Sequence, residues 1–184
     1  MGKLTLILGG ARSGKSSFAQ QVAEESAMEV VYIATARAID EEMIRRIEKH
    51  KQERPKDWKT LEIPISLAER IKKIPIKADI VILDCLTVLV NNIFIENTDD
   101  VDNPDQEILE EKGFQEVKDL LSTIKESEAD WLVVSNEVGF GLVPPYPIGR
   151  LYRDVLGGAN KLLAKEADEV ILIIAGIPMK LQPM

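Results

Sequence analysis

Residues 9–16 read GGARSGKS. An apolar run, Lys3 to Leu8 (KLTLIL), stands directly before them. Directly after, Phe18, Val22 and Ala23 of SSFAQQVAEESA fall on one side of a helix. The octet matches G-x-x-x-x-G-K-[ST], the phosphate-binding loop, and it has the strand-to-helix setting this loop requires. Each residue type has a reason. The glycines let the backbone of Gly9, Gly10, Ala11, Arg12, Ser13 and Gly14 wrap a phosphate with its N–H groups turned inward. The helix that follows offers the positive end of its dipole. Lys15 is placed to reach the β- and γ-phosphates, and Ser16 to ligate Mg²⁺. A plain glycine-rich turn is the bland alternative.

Outward from the loop, short apolar runs alternate with helical patterns. Val30 to Ala34 (VVYIA), Ile80 to Leu83 (IVIL), Trp131 to Ser135 (WLVVS) and Val170 to Ala175 (VILIIA) read as strands. Helices are expected over Asp40 to Arg54, from Leu86 to Phe94, near Glu107 to Ile124 and over Ile148 to Ala167. Pro55 should stop the first of these, and Gly157 with Gly158 should weaken the last. The strands lack period-two alternation, so the sheet should be mostly parallel and buried on both faces. The expected fold is a doubly wound α/β domain, with residues 1–184 as a single domain.

Composition limits the partners. The chain has 184 residues, 45% of them hydrophobic, and a formal net charge of -8. A nucleic-acid surface needs clustered Lys and Arg, so nucleic acid is not expected as a partner. No apolar run is long enough to predict a membrane span. Cys85 is the only cysteine. It rules out an internal disulfide and a cysteine-based zinc site, and it fits a reducing, cytoplasmic location.

A phosphate loop needs a second acid for Mg²⁺. Asp84 follows the IVIL strand and has that place; the alternative is a cap for the next helix. Cys85 beside it reads as a small core residue. His50 is the only histidine, with Arg46 and Arg54 four residues to either side. On one helix these three would cluster, the cations keeping the imidazole neutral and holding a triphosphate. His50 also follows Ile47 and Met43 at helical spacing, so half-buried packing is the other reading. Asn136 and Glu137 read equally as turn chemistry or as catalysis. Arg150, Arg153 and Asp154 read as a surface ion pair, and Asp99 to Asp105 as a solvated loop.

Taken together, these segments resemble the bifunctional adenosylcobinamide kinase / adenosylcobinamide-phosphate guanylyltransferase family of cobalamin biosynthesis. The likeness runs nearly end to end. It is carried by GGARSGKS, YIATA at Tyr32 to Ala36, DEEMIRRIEKHKQERP at Asp40 to Pro55 and DWKTLE at Asp57 to Glu62. LDCLT at Leu83 to Thr87, SNEVGFGLVP at Ser135 to Pro144, and RLYRDVLG with Asn160 complete it.

The resemblance implies a RecA-like sheet and a homotrimer. It implies phosphorylation of adenosylcobinamide by ATP or GTP. Guanylyl transfer from GTP to adenosylcobinamide phosphate would then pass through a guanylylated His50. It extends the nucleotide contacts from the loop to Ala34, Thr35, Ala36, Lys51, Gln52, Glu53, Arg54, Glu62 and Asp84. Two other functions fit the motifs less well: a single-activity kinase with a structural His50, and a nucleotide-binding regulatory subunit.

Overall fold

The computed structural model describes residues 2–26, 28–74 and 76–181. One seven-stranded sheet organises them, in the order β3-β2-β4-β5-β1-β6-β7. Its strands are β1 (Leu4–Gly9), β2 (Val30–Ala34), β3 (Lys59–Glu62), β4 (Ile80–Asp84), β5 (Asp130–Val134), β6 (Glu169–Ile174) and β7 (Ile177–Leu181). All neighbours pair in parallel except β6 and β7. The helices are α1 (Lys15–Ser26), α2 (Glu41–Gln52), α3 (Leu67–Lys73), α4 (Leu86–Glu96), α5 (Gln106–Glu126) and α6 (Pro147–Glu166).

The sheet separates two apolar layers. On one face Ile7, Tyr32, Ile82 and Val134 pack with Ala19 and Ala23 of α1. On the other, Leu6, Ile33, Leu83 and Val133 pack with residues of α3, α4, α5 and α6, such as Leu67, Leu89, Leu120 and Leu156. Burial on both faces explains the absence of period-two alternation, and the doubly wound expectation holds.

Three elements escaped the sequence reading. The edge strand β3 (KTLE) has no apolar run and no buried residue, so nothing in its composition marks it. The helix α3 is seven residues long, too short for a clear period. β7 is exposed along its whole length and contains Pro178, which an edge strand tolerates. It pairs with β6 through a two-residue turn in which Ala175 (φ 51) and Gly176 (φ 81) both have positive φ, the geometry of a tight hairpin.

The expected weak point in α6 is absent, because Gly158 serves packing. A Cβ there would lie 2.6 Å from the Phe114 ring, and one at Gly113 would lie 2.7 Å from Val155. The two glycines let α5 and α6 cross closely. In contrast, α2 carries no fully buried residue among those described, and Ile44 of its expected apolar face is exposed. Asp40 caps it by accepting from the Met43 N–H at 2.7 Å. The helix therefore rests on local capping more than on packing.

Candidate nucleotide site

The loop after β1 has the strained geometry its sequence anticipates. A Cβ on Gly9 would sit 2.5 Å from the Ile173 carbonyl oxygen and 2.6 Å from Ser13 Oγ. Gly14 has φ 99, and Arg12 also takes a positive φ of 58. Neighbouring elements brace the loop. The Gly176 N–H donates to the Ser13 carbonyl at 2.9 Å and the Glu137 N–H to the Gly9 carbonyl at 3.0 Å. Lys15 is 7% exposed, and its Nζ donates to the Gly10 carbonyl at 2.5 Å. Burial lowers its pKa, while the Asp84 carboxylate pulls the other way. The ammonium lies folded against the loop it would leave on meeting a phosphate.

Strand register brings the acids to the same edge. Ala34 is the register partner of both Glu62 and Asp84, and Asp84 is the partner of Val134. Four parallel strands thus end at one level, at their carboxyl ends, where open α/β sheets bind ligands. Asp84 does not cap the following helix: the N-cap of α4 is Cys85, which makes no side-chain cap bond. Instead Asp84 Oδ2 accepts a short hydrogen bond from the Tyr32 hydroxyl. Burial, and then the Asp84 charge, hold the Tyr32 pKa far above its usual value, so the phenol remains a donor. The Cys85 thiol is pushed up to about 12, chiefly by burial, which fits a core residue and not a reactive one.

The oxygens present fit Mg²⁺. Among the described residues no group of three or more His, Cys, Asp or Glu could hold a metal. Ser16 Oγ and Asp84 Oδ1 have no hydrogen-bond partner among the described contacts, and both are hard oxygen donors. Two protein oxygens are a normal share for Mg²⁺, which takes the rest of its shell from phosphates and water.

The remaining candidates divide. Thr35 is fully buried; its hydroxyl donates to the Cys85 carbonyl at 2.8 Å and accepts from the Cys85 N–H at 2.9 Å. Its carbonyl accepts from Asn92 Nδ2 at 2.8 Å. Thr35 is a tie between the ends of β2 and β4, with Ala34 buried before it and Ala36 half-buried after it.

His50 lies in the last turn of α2, half-buried, with Nδ1 3.8 Å from Glu53 Oε2. The helix ends at Gln52, so Arg54 is not on it. Its guanidinium carbon instead sits 3.7 Å above the centre of the Tyr32 ring. Arg54 Nε and Nη1 are buried without a hydrogen-bond partner. The expected one-helix cluster of Arg46, His50 and Arg54 does not form in that way, and the side chain of Arg46 lies outside the described residues. Lys51 pairs with Glu62 at 2.5 Å; Gln52 and Glu53 are exposed.

Sequence reasoning missed Tyr32, because VVYIA reads as uniform core and only register shows what its hydroxyl meets. It also missed a buried polar tie around Thr87. Ser135 Oγ donates to Asn160 Oδ1 at 2.7 Å, the Asn136 N–H donates to Thr87 Oγ1 at 2.6 Å, and Asn160 Nδ2 donates to the Asn136 carbonyl at 3.0 Å. Arg150 is not part of a surface ion pair. Its Nη1 donates to the carbonyls of Pro144 and Pro145 at 3.2 and 2.7 Å, while Arg153 pairs with Asp154 at 3.3 Å. The acidic run behaves as expected, exposed, with Asp105 capping α5.

Comparison with known proteins adds one family match and three relatives. A family model described as cobinamide kinase / cobinamide phosphate guanyltransferase matches residues 5–181. The chain is 37% identical over 97% of its length to the bifunctional adenosylcobalamin biosynthesis protein CobU of Escherichia coli strain K12, covering 99% of that protein. It is 40% identical to the bifunctional adenosylcobalamin biosynthesis protein CobP of Pseudomonas aeruginosa, over 96% of each chain. It is also 36% identical to the CobU protein of Salmonella typhimurium, over 97% of this chain and 99% of that one.

Proposed function

The chain belongs to the cobinamide kinase / cobinamide phosphate guanyltransferase family, and from that premise we propose the two steps its residues carry out. It is a bifunctional transferase. In the first step it phosphorylates adenosylcobinamide with ATP or GTP. In the second it transfers GMP from GTP to adenosylcobinamide phosphate through a guanylylated His50, giving adenosylcobinamide-GDP. Both steps belong to cobalamin nucleotide-loop assembly and share the single domain 1–184.

For phosphoryl transfer, Lys15 leaves the Gly10 carbonyl and meets the β- and γ-phosphates, while the loop N–H groups fix their orientation. Ser16 and Asp84 would hold Mg²⁺, which when bound would offset phosphate charge. Tyr32 keeps the Asp84 carboxylate aimed. For guanylyl transfer a neutral imidazole nitrogen of His50 attacks the α-phosphate, and pyrophosphate leaves with the electron pair of the broken bond. The acceptor phosphate then displaces the histidine. Glu53 is the nearest carboxylate, 3.8 Å from Nδ1 and beyond hydrogen-bond reach, and Nδ1 is buried without a partner. Arg54 and Lys51 supply positive charge beside it.

The observation that supports this most is the contact series that begins just past the end of α2 and reaches the loop site. Arg54, four residues after His50, stacks on Tyr32, and Tyr32 donates to Asp84. A homotrimer is part of the reading. Ile177 and Met179 leave an apolar, exposed sheet edge, which an assembled protein would cover. Among the described residues no helix is long and apolar enough to cross a membrane, and soluble nucleotide substrates suit the cytoplasm. The test is incubation with GTP labelled at the α-phosphate, followed by denaturation. Acid-labile, base-stable label on the protein is expected. Its absence, with phosphorylation intact, would leave a kinase only.

A further inference from the structure

A pocket of about 460 Å³ opens beside the phosphate loop. Gly10 and Ala11 form one wall; Val138, Phe140, Leu172 and Ile174 form much of the rest. Among the described lining residues only Glu137 is ionisable. A lone carboxylate in an apolar recess against a phosphate loop has no structural need that Gln would not meet. Its position is fixed to the loop, because the Glu137 N–H donates to the Gly9 carbonyl at 3.0 Å. The residue before it is held by the Thr87 and Asn160 bonds described above. Oε1 accepts from the Gly139 N–H at 2.7 Å, which orients the carboxylate, and Oε2 has no hydrogen-bond partner among the described contacts.

The segment that follows extends the recess. Phe140 and Leu142 are 85% and 96% exposed. Arg150 ties down the far end of this segment at Pro144 and Pro145. Two bare apolar side chains on a loop anchored at both ends offer a platform for a broad apolar ligand face.

We propose that Glu137 is the general base of the phosphoryl transfer, and that this pocket with its Phe140–Leu142 rim seats the acceptor. The inference rests on the kinase reading above. The acceptor is the adenosylcobinamide of the first step proposed above, a broad ring system whose alcohol stands on a side arm. The ring lies on Phe140 and Leu142, and the arm enters between Glu137 and Ala11. As the alcohol oxygen forms its bond to the γ-phosphorus, its O–H bond breaks and Glu137 takes the proton. The bond to the β–γ bridging oxygen breaks, and the nucleoside diphosphate leaves with that electron pair. The rim could also meet a second copy of this chain. The carboxylate at the phosphate-loop wall favours the acceptor, since a subunit contact has no use for a base there.

The test uses the full protein with adenosylcobinamide and ATP. Glu137→Gln should lower kcat for phosphorylation about 100-fold or more, with the KM for ATP unchanged. Formation of enzyme-bound GMP from GTP should persist, because that step removes no alcohol proton. Gly139→Ala is the independent variant. Its Cβ would lie 2.9 Å from Glu137 Oε1, so the movable carboxylate shifts and the backbone does not. It should lower kcat with little change in melting temperature. Phe140→Ser should raise the KM for adenosylcobinamide several-fold at an unchanged sedimentation coefficient.

Wild-type kcat in Glu137→Gln overturns the base, and so does equal loss of phosphorylation and enzyme–GMP. A changed assembly state in Phe140→Ser, with acceptor KM unchanged, overturns the docking surface in favour of a second copy. If the wild-type protein itself phosphorylates nothing, the kinase reading fails first; an active wild type with an equally active Glu137→Gln fails this inference alone.

Discussion

The Tyr32 hydroxyl donates across to the Asp84 carboxylate on the neighbouring strand. Tyr32 is in register with Ile82, so the hydroxyl reaches two residues further along β4, on the same face. Arg54 covers one face of the phenol ring. One side chain therefore touches both the acid expected at the metal and the cation that follows the histidine helix. Asp84→Asn keeps the shape and an acceptor oxygen but loses the charge that attracts Mg²⁺. We expect a several-fold higher Mg²⁺ requirement for phosphorylation. A metal titration that overlays the wild type would give Asp84 another job.

Lys15 is the cation that the loop itself supplies. Buried against the Gly10 carbonyl, it needs only a side-chain rotation to meet a phosphate. Removing one preorganised charge contact of this kind costs about 100- to 1,000-fold in rate. Lys15→Ala should lose most phosphorylation of adenosylcobinamide in a steady-state assay. Near-normal turnover would refute the loop assignment.

His50 separates the two activities. His50→Asn should abolish enzyme–GMP formation and guanylyl transfer, while phosphorylation survives in part, since Lys15, Ser16 and Asp84 are untouched. Among its described residues the helix buries none fully, so the variant should melt close to the wild type. Both reactions and a melting curve on one preparation decide it. The chain has a single histidine, so covalent GMP on this variant would mean another nucleophile.

Gly158 is the packing test. Its added Cβ would press on the Phe114 ring at 2.6 Å. Overpacking of this sort costs about 1–3 kcal/mol, although alanine raises helix propensity at the same site. We expect Gly158→Ala to be destabilised in urea unfolding. Gly157→Ala, where a Cβ meets nothing within 4 Å, should be neutral or stabilised.

Assembly has its own measurement. Analytical ultracentrifugation at micromolar concentration should give the mass of three chains. Lysine in place of Met179, on the exposed apolar edge strand, should weaken the association if β7 contributes to it. A stable wild-type monomer would remove the trimer from the proposal.

The sequence by itself determined what local chemistry can determine. GGARSGKS between KLTLIL and an amphipathic segment pointed to a phosphate loop, because its glycines, lysine and serine each answer a need of bound phosphate at fixed spacing. The continuous apolar strands dictated a sheet covered on both faces. Tertiary structure decided what depends on partners far away in the chain. The β3 strand exists because β2 offers an unpaired edge, not because KTLE favours extension. Asp84 took a phenol and not a helix cap, because parallel register carries Tyr32 beside it from 52 residues away. Arg54 left the histidine's helix, which stops at Gln52, and found an aromatic face. Gly158 reads as a helix breaker until Phe114 is seen against it. In each case the local sequence was compatible with more than one outcome, and a long-range contact chose between them.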